Sequence, residues 1–216
     1  SELSKQLMPD STAWANALQS EAFCKALGYD TSTIMCVFIP NTYEVYWDVT
    51  PEKFLQKMKK ESDAFWTSSR RQKAADAGLT PNEVIVVASI VEQETANNAE
   101  KPMIAGMYLN RYHKGMKLQA VKFATKQFQL RRISGSILFT DSPYNTYKYA
   151  GLPPGPICIP SMASIESVLN YVQHDYLYMC AKEDFSGTHN FARTYAEHQK
   201  NAQKYTDALN KRGIME

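Results

Sequence analysis

The sequence predicts an α+β fold, mixed helices with an antiparallel strand pair, on three observations. Helical and β-rich segments do not alternate, which argues against a doubly wound parallel sheet. Helical apolar spacing bounded by cap residues recurs along much of the chain. Near the C-terminus "DYLYMCA" and "THNFART" flank a turn at Asp184 to Gly187, the pattern of a hairpin.

The elements follow in order. Ser11 to Leu27 carries Trp14, Leu18, Ala22 and Cys24 at helical spacing and closes at Gly28, predicting one helix. "TIMCVFIP" and "TYEVYWDV" are β-rich and split by Pro40-Asn41, predicting a second strand pair. Thr50 and Pro51 open a long charged helix that ends before Gly78. Thr80, Pro81 and Glu83 form the signature of a capping box for the next helix. Another runs from about Glu100 to Tyr112 and stops before Gly115. "DSPYNTYKYAGLPPGPICIPS" is a loop braced by its prolines, followed by a short helix from Ser164 to Val172. Thr194 and Glu197 make a second capping box for the last helix.

Composition narrows the function. At 216 residues and 44% hydrophobic content the chain can bury a core without metals or staples. A formal charge of +2 is far from the basic stripe that nucleic acid requires, so nucleic acid is not an expected partner. Cys24, Cys36, Cys158 and Cys180 are widely spaced, and their even number permits disulfides without arguing for them. No apolar run approaches the roughly 20 residues of a membrane span and no signal-peptide core is present, so this stretch is expected to be soluble. A start at Ser1 rather than Met suggests an excised piece, with an anchor or a targeting segment expected to belong to the true N-terminus.

The stretch "VIVVASIVEQET" runs through apolar residues to a carboxylate at Glu92 and another at Glu94. Apolar positions 84, 85, 87, 88, 90 and 91 cover nearly the whole helix circumference, so the helix is expected to be buried on most sides. Glu92 lies over the small residues Ala88 and Ser89, which leaves room beside its carboxyl. Glu94 lies about 200° round the helix, so the two acids face different surroundings. An apolar setting raises a carboxyl pKa, the requirement for a general acid in glycosidic cleavage. Spacing alone favours the plainer alternative, Glu92 at an exposed helix end paired with Lys101 or Arg111.

"ASIVEQET", "MYLNRYHKGMKLQA", "DSPYNTYKYAGLPPGPICIPS" and "GTHNFARTYAEH" occur in an order and spacing that closely resemble the endolytic murein transglycosylase family, also called YceG-like. The resemblance covers Phe38 to about Ile214. It implies a catalytic domain of the YceG-like type, with an active-site helix like that of lytic transglycosylases. The implied reaction is non-hydrolytic cleavage of peptidoglycan between N-acetylmuramic acid and N-acetylglucosamine, leaving a 1,6-anhydro end. The catalytic glutamate falls on Glu92: it would protonate the departing oxygen and then, as carboxylate, take the proton of the attacking C6 hydroxyl. No second acid on its face is needed. Substrate binding is implied for Glu94, Asn110, Gln119, Tyr144, Asn145, Thr146, Tyr147, His189 and Phe191, with the Tyr144–Tyr147 loop and the His189 strand as facing walls of one groove. No cofactor and no metal are implied. The implied partners are peptidoglycan glycan strands and cell-wall synthases, at the cell envelope, with the membrane reached only through an N-terminal anchor.

On this reading residues 1–78 form an N-terminal helical lobe with a strand pair, part of the catalytic region, and 79–216 the transglycosylase core. Family members usually carry L-Q-x-D-P-T-V where this chain reads "LQAVKFATKQF", so Asp, Pro and Thr are absent between Ala120 and Val121. Either they have been lost and the substrate loop is altered, or the sequence as written omits part of a mobile loop. Two alternatives to the lyase stay open: a muramidase using water, and an inactive glycan-binding or scaffold protein of the cell-elongation machinery. His189 and His198 lack partners at metal-ligand spacing, and a thiol pairing of Cys158 or Cys180 with His189 has no signature behind it.

Overall fold

The computed structural model describes residues 3–120 and 140–213. The missing Asp-Pro-Thr expectation concerns the junction at Val121, outside the described residues. The described helices are α1 (Leu3–Gln6), α2 (Ser11–Gln19), α3 (Glu21–Ala26), α4 (Pro51–Phe65), α5 (Ser68–Asp76), α6 (Pro81–Glu94), α7 (Lys101–His113), α8 (Met162–Leu169) and α9 (Tyr195–Lys211). A 3-10 turn covers Ile34–Val37, and strands β1 (Tyr178–Ala181) and β2 (His189–Ala192) form an antiparallel pair with Ala181 opposite His189. The α+β class is thus observed, with helices dominant.

Two apolar clusters organise these elements. The first joins α2, α3, the 3-10 turn and α4 through Trp14, Ile34, Val37, Leu55 and Met58, with Trp14 edge-on to Phe54 at 5.2 Å. The second surrounds α6, whose residues Val84 to Val91 are all buried, as their all-round apolar pattern requires. Helices α5, α7 and α8 pack on α6, and α9 covers the hairpin. Helix α7 comes so close to the chain after α8 that a side chain on Gly106 would put Cβ 2.3 Å from the Val172 carbonyl oxygen.

Local signals were decisive where a side chain satisfies its own helix end. Both expected capping boxes form, Thr80 with Glu83 and Thr194 with Glu197. The same chemistry breaks two expected long helices. Ser20 accepts from the Phe23 amide and starts α3, splitting the helix expected from Ser11 to Leu27. Thr67 accepts from the Arg70 amide and starts α5, splitting the one expected from Pro51. The helix expected from Ser164 to Val172 begins earlier, because Ser161 caps it through the Ser164 amide, and it ends at Leu169.

The strand pair expected from "TIMCVFIP" and "TYEVYWDV" does not form. Ile34, Cys36 and Val37 are buried without period-2 alternation and close a 3-10 turn, while Tyr46 and Trp47 are 85% and 66% exposed. β-Branched and aromatic content here reflects a need for burial rather than a pairing partner.

Candidate active site

The C-terminal end of α6 meets two other helix starts. Lys101, the first residue of α7, reaches Glu92 Oε2 with its Nζ at 3.1 Å while only 3% of its side chain is exposed. From the start of α8, the Ser161 amide donates to the same oxygen at 3.1 Å, and the Ser161 and Ser164 hydroxyls donate to it as well. Glu92 Oε1 accepts nothing among the described residues, and 28% of the side chain is open to solvent. One carboxylate oxygen is therefore anchored and the other is presented.

The small-residue side of α6 is where the proline-braced loop lies. The Ile157 amide donates to Ser89 Oγ at 3.1 Å, the Cys158 thiol lies 3.5 Å from the Ser89 carbonyl oxygen, and Ser161 follows onto Glu92. Gly155 permits this course, since a Cβ there would stand 2.0 Å from the Ser32 carbonyl oxygen. The room that Ala88 and Ser89 leave is filled by the protein itself.

This arrangement corrects the expected direction of the Glu92 pKa. Burial does push the carboxyl up, but the Ser161, Ser164 and Lys101 side chains and the Ser161 amide together outweigh it and hold the group down at about 2. The acid is an anchored carboxylate near neutral pH rather than a protonated group in a dry pocket.

Glu94 faces other surroundings, as two residues of helix require. Its Oε1 accepts from the buried Tyr108 hydroxyl at 2.9 Å. Burial and the Glu94 charge push the Tyr147 hydroxyl up to about 12. Arg111, 5% exposed, donates to the Lys117 and Leu177 carbonyls and to Gln119 Oε1 at 2.7 Å, tying α7 to β1 and to the loop before the undescribed residues.

The other sequence-derived candidates are held by partners of their own. Asn110 donates to the His174 and Tyr176 carbonyls, at 2.6 and 3.1 Å, and clamps the chain leading into β1. Tyr144 has its hydroxyl beside Gly155 and Ser32. Asn145 is 8% exposed, donates to the Thr140 carbonyl and accepts from the Tyr147 amide. Thr146 is 2% exposed and bonds both backbone groups of Ala120. His189 Nδ1 lies 2.8 Å from Glu100 Oε2, and its amide donates to Glu100 Oε1. Phe191 packs on the Tyr176 ring at 5.7 Å, and Arg193 covers the same ring at 5.4 Å. Sequence reasoning did not single out Ser161 and Ser164; the "IPSMAS" turn after the prolines was the available signal. All four cysteines are free thiols. Among the described residues no group of His, Cys, Asp or Glu is arranged to hold a metal ion.

Comparison with known proteins adds a family and its relatives. Residues 3–204 match the YceG-like family. The chain is 32% identical over 168 residues to an endolytic murein transglycosylase of Bacillus subtilis (strain 168), a match covering 76% of this chain and 46% of that protein. It is also 32% identical over 179 residues to a protein of the same name from Streptococcus pneumoniae (strain ATCC BAA-255 / R6), covering 78% of this chain and 32% of the relative. The chain thus spans about half the length of the first relative and about a third of the second. A crystal structure of a yceG-like protein from Listeria monocytogenes superposes with a TM-score of 0.75 at 28% identity, over 92% of this chain and 70% of that one.

Proposed function

The chain belongs to the YceG-like family, and from that premise we propose that it is the catalytic part of a lytic transglycosylase acting on peptidoglycan glycan strands at the cell envelope. The observation that carries this reading is the asymmetry of Glu92, with four donors on Oε2, none on Oε1 among the described residues, and a side chain 28% exposed. A carboxylate so held has a fixed direction and a single reactive oxygen, which is what transfer to and from one glycosidic centre needs.

Glu92 acts as acid and then as base. The ligand-free carboxylate must first gain a proton, so glycan binding has to raise its pKa. A sugar laid over the exposed side strips water from the carboxyl, and turning away either serine hydroxyl removes a bond that favours the charge. Protonated Oε1 then gives its proton to the departing oxygen, and the recovered carboxylate takes the C6 hydroxyl proton as that oxygen attacks C1, closing the 1,6-anhydro ring. Lys101 is a positioning residue, since its buried ammonium stabilises the carboxylate that each turnover regenerates. The names of the Bacillus and Streptococcus relatives support this class of reaction.

A second reading, glycan binding without turnover, is favoured by one observation: Glu92 rests as an ion pair rather than as a proton donor. Mass spectrometry of isolated sacculi digested with the protein separates the possibilities. Anhydro ends support the lyase, reducing ends the muramidase, and unchanged sacculi the binding protein.

A further inference from the structure

Helix α6 has a second concave site at its other end. A cavity of about 610 Å³ opens between the end of α3, the middle of α4 and the first residues of α6. Three cations stand around it, Lys25, Lys59 and Arg71, against one carboxylate, Asp63, which Lys59 already holds. Lys25 is exposed, and its side chain makes no hydrogen bond or ion pair among the described residues. Arg71 spends its Nε on the Trp66 carbonyl at 2.9 Å, and its terminal nitrogens donate to nothing else among the described residues.

The floor of the cavity holds an independent sign of a missing partner. Ser62 lines it, is 1% exposed, and its Oγ makes no hydrogen bond of ordinary geometry; the Tyr29 hydroxyl is the side chain close enough to share a weak one with it. Buried hydroxyls are ordinarily satisfied, so an unsatisfied one facing a cavity is a place for a ligand atom. Opposite it, Pro81 and Asn82 begin α6; Pro81 has no N–H and Thr80 Oγ1 holds the Glu83 amide, so the Asn82 amide is the one left without an acceptor there among the described residues, at a helix end that carries partial positive charge.

We propose that this cavity binds an oxyanion of the substrate, specifically a carboxylate on the peptides that branch from murein strands; the inference rests on the murein reading above. The paired terminal nitrogens of Arg71 match a carboxylate, and Lys25 supplies a second unmatched charge. Tyr29, half-buried at the cavity wall, offers ring surface for the short aliphatic part of a peptide. Pro81 and Glu92 are eleven positions apart on one helix, roughly 16 Å at 1.5 Å per residue, so one branched strand spans both ends. The site would let the enzyme distinguish peptide-bearing strands from bare ones.

The test is amide NMR of the folded chain titrated with N-acetylmuramyl-L-alanyl-D-isoglutamine, which carries one free carboxylate, and with its uncharged amide. Saturable shifts at Gly28, Tyr29 and Asn82 and at the Trp66 indole are expected with the carboxylate, and inorganic phosphate should compete for them. Lys25→Ala, which removes no side-chain hydrogen bond or ion pair among the described residues, should weaken binding roughly threefold to tenfold, as should Ser62→Ala. No shift at these positions up to about 1 mM ligand, or an equal response to the uncharged amide, overturns the proposal. Failure of the protein to cleave sacculi, with this binding intact, would sink the catalytic reading alone; cleavage without this binding would sink the cavity assignment alone.

Discussion

Lys101 Nζ, with its side chain 3% exposed, lies 3.1 Å from Glu92 Oε2, so the strongest candidate for chemistry in this chain is also half of a largely buried ion pair. Changes at Glu92 therefore have a structural as well as a catalytic outcome.

Glu92→Gln is expected to abolish anhydro-product formation and to lower stability, because Gln keeps the shape but leaves the Lys101 charge without its counter-charge. Breaking a pair this shielded costs about 2–3 kcal/mol, or a melting-temperature drop on the order of 4–10 °C for a chain of this size. Glu92→Gln combined with Lys101→Met should recover much of that loss without restoring activity. Retention of more than a few per cent of product by Glu92→Gln would mean that another group is the acid.

Acid titration gives a second readout. The folded Glu92 pKa, about 2, lies below the ordinary carboxylate value of about 4.3. A depressed folded pKa contributes stability above the unfolded value, and that stability is lost as pH falls through the window from roughly 4.5 to 2. The difference amounts to at most about 3 kcal/mol. Melting curves of wild type and Glu92→Gln should therefore converge as pH drops from 5 towards 2. Parallel curves across that range would show that the carboxylate is not held as described.

Ser161→Ala removes one of the hydroxyls that hold Glu92 ionised, and the Glu92 pKa should rise. If the protonated acid is the active form of the free enzyme, the alkaline limb of kcat/KM against pH moves to higher pH. The same substitution takes away the cap of α8, for which about 1 kcal/mol of stability is the expected loss. A profile of unchanged shape with a lower plateau would reduce Ser161 to a purely positional part.

Tyr108→Phe deletes a buried hydroxyl from the Glu94 carboxylate, so stability should fall by about 1.5–3 kcal/mol. Residual activity measured well below the melting temperature should stay far above that of Glu92→Gln. Complete loss of turnover in a fully folded Tyr108→Phe protein would place Glu94, not Glu92, at the reaction.

Asn110→Ala tests whether a motif residue acts on substrate or on the fold. Its amide holds the His174 and Tyr176 carbonyls, so a loss of about 1–2 kcal/mol in stability is expected, with KM nearly unchanged. A raised KM at unaltered melting temperature would instead assign Asn110 to the glycan.

What could be read from the sequence follows the range of the interactions involved. The capping boxes of α6 and α9, the buried circumference of α6 and the hairpin turn depend on neighbours a few residues apart, and all were legible. Glu92 could be singled out because an acid ending an apolar run is a local anomaly. Its environment could not: the donors that set its charge come from positions 9, 69 and 72 residues away, and no periodicity reports such contacts. Lys101 was foreseen only as one of two alternative partners. The misread strands near Ile34 show the same limit, since apolar and β-branched residues there report burial without saying against what.

Ser161 Oγ accepts from the Ser164 amide and from Lys101 Nζ, both at 3.3 Å, while donating to Glu92. Its hydrogen-bonding capacity is fully occupied, so helix start and acid share one hydroxyl. Adding a proton to Glu92 weakens that acceptor and frees the hydroxyl to turn, and the first turn of α8 must respond. Each catalytic cycle, on this account, writes the protonation of the acid into the end of a neighbouring helix, where amide hydrogen exchange can follow it without any substrate in view.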